Sequence, residues 1–250
     1  MLNPEHHLIA FHCAELPPGP WLVFAPHADD ETFGMGGSLL KANAAGMQTH
    51  VVVLTDGAMG GDAENLVAIR RKEVEQATQI LGVTSLQCWS EADRGLAVTH
   101  SLIARIMETM RKLQPQAVFF PGPMELHPDH RVAALLVWKA LQLLQPLSWP
   151  IEIYSYEISV QSPANRLIDI TPHVKTKEAA MAVYASQNEL NSYPELVLAL
   201  DKARTFTLPA HVSHAEAFCR YETNDLNFSL AEILQSKINV YLQPGAGERN

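Results

Sequence analysis

The sequence predicts an α/β fold: a Rossmann-like, doubly wound, mainly parallel sheet with helices on both faces and a C-terminal α/β extension. The first observation is that short apolar runs alternate with helical patterns over residues 21–144. The second is that these runs are continuous, without the alternation of a half-exposed strand, so helices are expected to cover both faces of the sheet. The third is that 47% of the 250 residues are hydrophobic, which is enough for one substantial core.

Four strand and helix units are expected in this first part of the chain. The predicted strands are WLVFA, which begins at Trp21, then THVVVLTD, SLQCW and AVFFPG, all short runs of apolar residues bounded by turn formers. Between them, the helical spacing of apolar residues predicts helices over 37–45, 62–81 and 99–113, and a fourth from 127 or 128 to 144.

The pattern changes after SWP at 148–150. Strand-like pieces there are IEIYSYEI, NRLIDIT and AEAFCRY, and helices are expected around 175–186 and 194–204. The sequence has no Gly/Ser linker and no internal repeat that would mark a second domain. We therefore expect a single domain over 1–250, with an irregular leader over 1–20 and a continuation of the sheet plus a cap over 150–250.

Charge and composition argue against several classes of function. The formal net charge is −9 and no basic run is present, which disfavours nucleic acid as a partner. The N-terminal segment lacks a cationic start followed by a long apolar stretch, and no stretch reaches the roughly 18 apolar residues of a membrane span. A cytoplasmic protein without a membrane partner is expected. The three cysteines are far apart and suggest neither a disulfide framework nor a thiolate metal cluster.

Two histidine-rich motifs follow predicted strands. PHADDE comes directly after the first strand and GPMELHPDH directly after the fourth. Ligands of an open parallel sheet bind beyond the carboxyl ends of its strands, so the two loops are expected to converge. Taken alone, each motif also fits a simpler interpretation. Two histidines three apart more often mark a solvated helix start or an N-terminal cap than a metal site, and Asp29 or Asp30 could cap the next helix. Their joint position favours a shared site.

Together the motifs offer the ligands of a catalytic metal ion. A catalytic zinc takes three protein ligands of the His/His/carboxylate type and leaves a position for water, whose pKa falls from about 15.7 towards 7. Three residues would supply that set: His27, Asp30 and His130. Asp29 is adjacent to a ligand, but its side chain is expected to diverge from that ligand, so it would face the water as the base. His127 would then be a partner for the oxyanion of a tetrahedral intermediate, with Asp129 orienting its ring.

These residues match a known family. PHADDE with HPDH resembles the motifs of the PIG-L/LmbE-like zinc-dependent N-deacetylases, which include N-acetylglucosaminyl-phosphatidylinositol deacetylases and deacetylases of the mycothiol and bacillithiol pathways. The resemblance covers nearly the whole chain, because further segments also look like the family's. These segments are LTDGAMGGD, IRRKEVEQATQILGV, DRGL and HAEAFCRY. Ala28 departs from the family, which usually has proline there, and this loosens a turn without removing a ligand.

The resemblance implies a role for each candidate residue. The implied zinc ligands are the three residues named above, and Asp29 is the implied general base. His127 would stabilise the oxyanion and help protonate the departing amine. Arg70 and Asp93 match positions that bind the sugar in family members. His214 stands where some relatives carry a tyrosine near the oxyanion, which makes it a further catalytic candidate.

The expected reaction is hydrolysis of a linear amide by a zinc-dependent N-deacetylase. Water would attack the acetyl carbonyl of an N-acetylated amino sugar resembling N-acetylglucosamine, and acetate and a free amine would leave. One alternative is an Fe(II)-dependent oxygenase that uses the same two-His-one-carboxylate set, and another is a non-catalytic metal-binding relative. The α/β pattern opposes the oxygenase, and the spare carboxylate of Asp29 opposes a site that only binds metal.

The expected cofactor and partners follow from this reaction. Zinc is the expected ion, with other divalent metals such as Fe²⁺ left open. The expected substrate is a small N-acetylated sugar or glycoconjugate, since so few basic residues suit a large polyanionic glycan poorly. Apolar residues of the C-terminal third fit either the core or a subunit contact, so a homo-oligomer is also left open.

Overall fold

Seven strands form one mixed sheet in the computed structural model of the chain, which describes residues 2–146 and 148–244. The strands are β1 Trp21–Ala25, β2 Thr49–Thr55, β3 Ser85–Glu91, β4 Ala117–Pro121, β5 Glu152–Tyr156, β6 Arg166–Asp169 and β7 Ala215–Tyr221. Their order across the sheet is β3-β2-β1-β4-β5-β7-β6. β1 to β5 pair in parallel, whereas β7 is antiparallel to both β5 and β6. The mainly parallel α/β fold predicted from the sequence is confirmed.

Helices cover both faces of this sheet. The α-helices are α1 Asp30–Ala44, α2 Leu66–Leu81, α3 His100–Leu113, α4 Pro128–Leu143, α5 Val174–Ala182, α6 Ala185–Asn188, α7 Tyr193–Ala203 and α8 Leu230–Asn239. Alternate residues of β1 point to opposite faces. Trp21 and Val23 lie in a core cluster with apolar residues of α1, α2 and α5, and Leu22 and Phe24 lie in a second cluster with those of α3, α4 and α8. The apolar runs are continuous because both faces are buried.

Helix α1 begins at Asp30, and the start predicted at residue 37 is wrong. The glycines of GMGG have a low helix propensity. The structure uses them for close packing, since a Cβ on Gly34 would lie 2.4 Å from the ring of Tyr156. The helix is kinked at Met35, where φ is −150° and ψ is 24°. Close tertiary packing therefore outweighs the low helix propensity of glycine at this site.

Two other predicted helices are corrected, and one helix was not predicted. The helix predicted over 62–81 begins at Leu66, and the helix predicted over 175–186 is divided into α5 and α6. The division falls at Tyr184, which takes φ −77° and ψ 57° and donates a hydrogen bond from its buried hydroxyl to Glu31. The sequence analysis did not predict α8, which follows β7.

The strand order reverses between β1 and β4, which lie side by side. In a doubly wound sheet such a reversal opens a crevice at the carboxyl ends of the strands. The loops after β1 and β4 carry the two histidine motifs, so both motifs reach this crevice. None of the helices in the described part of the chain combines the length and the apolar character that crossing a membrane requires.

Candidate functional site

Local contacts hold the two motif loops at the crevice. The carbonyl oxygen of Pro26 accepts hydrogen bonds from the backbone N–H of Thr55 at 3.0 Å and from its hydroxyl at 2.8 Å, which ties the loop after β1 to β2. After β4, His127 is the N-cap of α4 and Pro128 follows in the first turn, where its missing N–H costs no hydrogen bond. His130 is thereby placed in the first turn of α4.

Three donor atoms from the two motifs form a small triangle. The Nδ1 atom of His27 lies 3.1 Å from Oδ2 of Asp30, and Nε2 of His130 lies 3.3 Å from that same oxygen. The two ring nitrogens are themselves 3.3 Å apart. Ligands placed tetrahedrally at 2.0–2.1 Å from a zinc ion would be about 3.3 Å from one another. The triangle therefore matches one face of a zinc coordination tetrahedron in both donor type and spacing.

Other donors around His27 are less closely spaced. Ligand atoms of His27, His127 and His130 all lie within 4.8 Å of one another, and so do those of His27, Asp93, His127 and Asp129. These groups share the His27 ring and could bind a metal with longer or rearranged contacts. The triangle that includes Asp30 has the shortest mutual distances, so it is the donor set that fits a tetrahedral ion best.

The second nitrogen of each ring in the triangle faces a carboxylate. Nε2 of His27 lies 3.3 Å from Oδ1 of Asp93 and 3.3 Å from Oδ2 of Asp129. Nδ1 of His130 lies 3.5 Å from Oε2 of Glu125, which is long for a hydrogen bond. Carboxylates in such positions orient the histidines of metal sites.

Glu125 belongs to the site although the sequence analysis did not select it. Its side chain is buried and accepts hydrogen bonds from the backbone N–H groups of Ile158 at 2.8 Å and Ser159 at 3.1 Å. These bonds fix the Glu125 carboxylate beside the His130 ring and join the loop after β4 to the loop after β5. The available signal was an acidic residue within GPMELHPDH, but its role depends on a loop more than thirty residues away.

The carboxylates change the acidity of the triangle. Burial lowers the pKa of His130, but Asp30 and Glu125 outweigh it and raise that pKa to about 9. Burial also opposes protonation of His27, yet the Asp129, Asp30 and Asp93 carboxylates raise its pKa well above the ordinary value. Burial would raise the pKa of Asp30, but the two histidines hold it far below its usual range. The same negative environment that favours protonated imidazoles would favour a bound divalent cation.

Asp29 is buried beside the triangle and has an unusual backbone, with φ 155° and ψ −30°. Its Oδ2 accepts a hydrogen bond from Nη2 of Arg70 at 3.0 Å. Burial raises the pKa of Asp29 to about 7, although the Arg70 guanidinium opposes that shift. A backbone held in so sparsely populated a region is typical of functional positions. The Asp29 carboxyl can therefore take or release a proton near neutral pH.

Arg70, predicted as a sugar-binding residue, is almost fully buried and contacts the chain itself. Besides Asp29, it donates hydrogen bonds to the carbonyl oxygens of Ala28 at 3.1 Å and Gly57 at 3.3 Å. Its Nε has no hydrogen-bond partner among the described residues, and its side chain lines the cavity over the triangle. The contact with Asp29 was not predicted.

Asp129 meets His127 in a different way from the one predicted. Nδ1 of His127 accepts a hydrogen bond from the backbone N–H of Asp129 at 3.2 Å, because His127 caps the helix. The carboxylate of Asp129 points instead to His27 and to the backbone N–H of Arg94, which donates to it at 2.7 Å. The prediction that this carboxylate orients the His127 ring is therefore corrected to one in which it orients His27.

Two further predicted residues lie in different surroundings. Besides its contact with His27, Asp93 accepts a hydrogen bond from the backbone N–H of Met59 at 3.0 Å. Burial would raise its pKa, but His27 outweighs burial and lowers it to about 2. His214 lies next to Ser213, whose Oγ is 3.0 Å from its Nδ1, and it is not among the described residues that line the cavity. The structure brings Asp93 to the triangle but does not bring His214 there.

The triangle opens into a cavity of about 710 Å³. His27, Asp30 and His130 are at most 7% exposed, so the donor atoms lie at its floor. Asp29, Arg70, Asp93, Arg94 and His127 also line it. Residues of α7 and of the segment before it form another part of the lining. Such a cavity falls within the roughly 300–1,000 Å³ typical of small-molecule sites.

Comparisons with known proteins agree with this site. The PIG-L family, described as GlcNAc-PI de-N-acetylase, matches residues 22–141, which contain both histidine motifs. Diacetylchitobiose deacetylase of Thermococcus kodakarensis is 31% identical over 66% of this chain and 69% of its own length. A probable N-acetyl-alpha-D-glucosaminyl L-malate deacetylase 2 of Bacillus anthracis is 29% identical over 66% of this chain and 80% of its own. A solved structure of N,N'-diacetylchitobiose deacetylase from Pyrococcus horikoshii, in complex with an inhibitor, is also similar. It superposes with a TM-score of 0.75 at 27% identity, and the match covers 84% of this chain and 86% of that one.

Proposed function

The chain belongs to the PIG-L family, and we propose that it is a zinc-dependent hydrolase that removes the acetyl group from an N-acetylglucosamine-like amino sugar. The observation that carries the proposal is the triangle of His27 Nδ1, Asp30 Oδ2 and His130 Nε2, with sides of 3.1–3.3 Å, beside a buried carboxyl. The names of two relatives, a diacetylchitobiose deacetylase and a probable N-acetylglucosaminyl malate deacetylase, support an N-acetylated sugar as substrate.

The same three atoms would hold the metal. When bound, zinc supplies Lewis-acid polarisation of the amide carbonyl and makes a water molecule acidic enough to act as a nucleophile near pH 7. Asp93 and Asp129 would orient His27, and Glu125 would orient His130, through the ring nitrogens that do not face the ion. The donors suit Fe²⁺ as well, so elemental analysis decides which metal the purified protein holds.

Asp29 would be the general base. As the oxygen of water bonds to the carbonyl carbon, one proton of that water passes to the Asp29 carboxylate. When the C–N bond breaks, the departing nitrogen takes up a proton, and the products are acetate and a free amine. The pKa of Asp29, about 7, supports proton exchange in both directions. Arg70 would position Asp29 through the hydrogen bond to Oδ2.

His127 would bind the carbonyl oxygen as negative charge develops on it. Its Nδ1 accepts a hydrogen bond from the Asp129 N–H, so a neutral ring carries its proton on Nε2. Burial, followed by the nearby His27 and His130, lowers the pKa of His127, which favours this neutral form. His127 lines the cavity, where an Nε2–H group could donate to an oxyanion.

The test is release of acetate and primary amine from a panel of N-acetyl sugars under anaerobic conditions, with metal analysis of the same sample. We expect Asp29→Asn to lower kcat by about 10²- to 10⁴-fold and to leave the metal content unchanged. Asp62→Asn is the matched control, because Asp62 is exposed, and it should keep full activity. Full turnover by Asp29→Asn would show that the base is assigned wrongly, and oxygen-dependent turnover would support the oxygenase instead.

A further inference from the structure

The mouth of the cavity is apolar although its floor is charged. Met59, Leu126, Leu190 and Leu196 all line the cavity, and they are 62%, 71%, 59% and 50% exposed. They come from the loop after β2, the loop before α4, and the segment around the start of α7. Single exposed apolar residues are common, but several that converge on one opening mark a binding surface.

Helix α7 presents an apolar stripe to the same cavity. Tyr193, Leu196, Val197 and Leu200 have the spacing of one helix face, and all four line the cavity. Val197 is buried, and the ring centroid of Tyr193 lies 6.1 Å from that of Phe33 in α1. These two contacts fix the helix against the core, so the stripe faces the opening with Leu196 still half exposed.

The charged part of the lining comes from outside α7 and the segment before it. The charged residues that line the cavity are Asp29, Asp30, Arg70, Asp93 and Arg94, together with the histidines of the floor. The lining contributed by the described residues 190–200 contains no charged side chain. A substrate that fills the cavity would thus meet both the charged groups of the floor and the uncharged surface of α7.

We infer that the substrate is an N-acylated amino sugar that carries an uncharged apolar group, and that Leu126, Leu190 and Leu196 bind this group. The inference rests on the proposed function and refines it by naming a chemical class of substrate. Two sources would supply the same chemistry: an apolar substituent on the anomeric oxygen, or an acyl chain longer than acetyl. Either source would cover side chains that are otherwise half exposed to water.

Two series of substrates separate the sources. The first compares the methyl, phenyl and hexyl β-glycosides of N-acetylglucosamine, and the second compares N-acetyl with N-hexanoyl glucosamine as methyl glycosides. We expect kcat/KM, measured by amine release, to rise by at least about tenfold along one series, the effect of burying roughly two methylene groups. Calorimetry gives a second readout that does not require hydrolysis. It measures the dissociation constants of the hexyl and methyl glycosides, and those of the N-hexanoyl and N-acetyl pair.

A matched pair of variants tests the residues. Leu196→Asn should reduce the preference for the apolar substrate by at least about threefold. Leu143→Asn is the control and should not change that preference, because Leu143 of α4 is 53% exposed but does not line the cavity. Circular dichroism checks that both variants fold. Equal kcat/KM and equal affinity along both series would overturn the inference and leave the proposed function intact. Amine release from no sugar at all would overturn the proposed function, and the affinities would still decide the inference.

Discussion

Two clusters of buried charged side chains lie along helix α1, and they differ in how their charges are balanced. The site cluster comprises His27, Asp29, Asp30, Arg70, Asp93, Asp129 and His130. The lysine cluster comprises Lys177, Asp201 and Glu216. The first residue of α1 belongs to the site cluster, and the backbone of the same helix at Gly37 and Ser38 contacts the lysine cluster.

The lysine cluster satisfies its buried charges with protein groups. Nζ of Lys177 donates hydrogen bonds to Asp201 at 2.7 Å and to Glu216 at 2.8 Å. Glu216 also accepts from the backbone N–H groups of Gly37 at 2.8 Å and Ser38 at 2.7 Å, which the kink of α1 frees from intrahelical bonding. The cluster joins α1, α5, α7 and β7, so its role is to hold the C-terminal elements against the part of the chain that carries the site.

The site cluster contains four aspartates and a single permanent cation, Arg70. Its excess negative charge is reduced when Asp29 or the histidines take up protons or when a metal cation binds, and its donor atoms converge at the floor of a cavity. The comparison indicates that buried charge serves folding where every group has a fixed partner. It serves chemistry where the charged groups converge on an opening.

The same substitution in each cluster tests this distinction most strongly. Asp30→Asn removes an anionic ligand and should lower metal affinity by more than about 100-fold, because loss of a residue that only orients a ligand already costs 10- to 100-fold. Acetate release should fall below detection. Asp201→Asn should keep both metal affinity and turnover, since Asp201 does not line the cavity. Chelator competition measures the affinities, and equal affinities in the two variants would contradict the assignment of the site cluster.

Removing the lysine should affect folding instead. Lys177→Met leaves two buried carboxyl groups without their cation, and we expect the free energy of unfolding to fall by about 3–5 kcal/mol. Lys175→Met is the matched control on the same helix, where the side chain is exposed, and it should change stability by less than about 0.5 kcal/mol. Urea denaturation measures both. A loss as small as that of the control would mean that the lysine cluster does not stabilise the fold.

The sequence predicted features that depend on local pattern and missed those that depend on distant contacts. Continuous apolar runs predicted β1 and β4. The rule that ligands bind at the carboxyl ends of parallel strands predicted the convergence of PHADDE with HPDH. The early start of α1 was missed because it depends on Gly34 packing against Tyr156. The role of Glu125 was missed because it depends on the loop at Ile158.

One predicted side-chain contact differs for the same reason. The sequence analysis paired Asp129 with His127, its near neighbour in the chain, whereas the fold places the Asp129 carboxylate 3.3 Å from His27. Proximity in sequence does not determine which way a carboxylate at a helix start points, because the cap uses the backbone N–H and leaves the side chain free.

The smallest expected effect concerns the pH dependence of the lysine cluster, which holds two carboxyl groups and one ammonium. Burial raises the pKa of Asp201 to about 7, with Lys177 opposing the shift and Glu216 adding to it, whereas the unfolded value is 3.8. The folded state therefore holds this proton more tightly, and the stability it contributes is lost as the pH rises towards 7. Between pH 5 and 8 the free energy of unfolding of the wild type should fall by about 2–3 kcal/mol relative to Asp201→Asn, which carries no such proton. Urea denaturation across this range measures the difference, and parallel curves for the two proteins would show that Asp201 stays ionised in the folded state throughout the range.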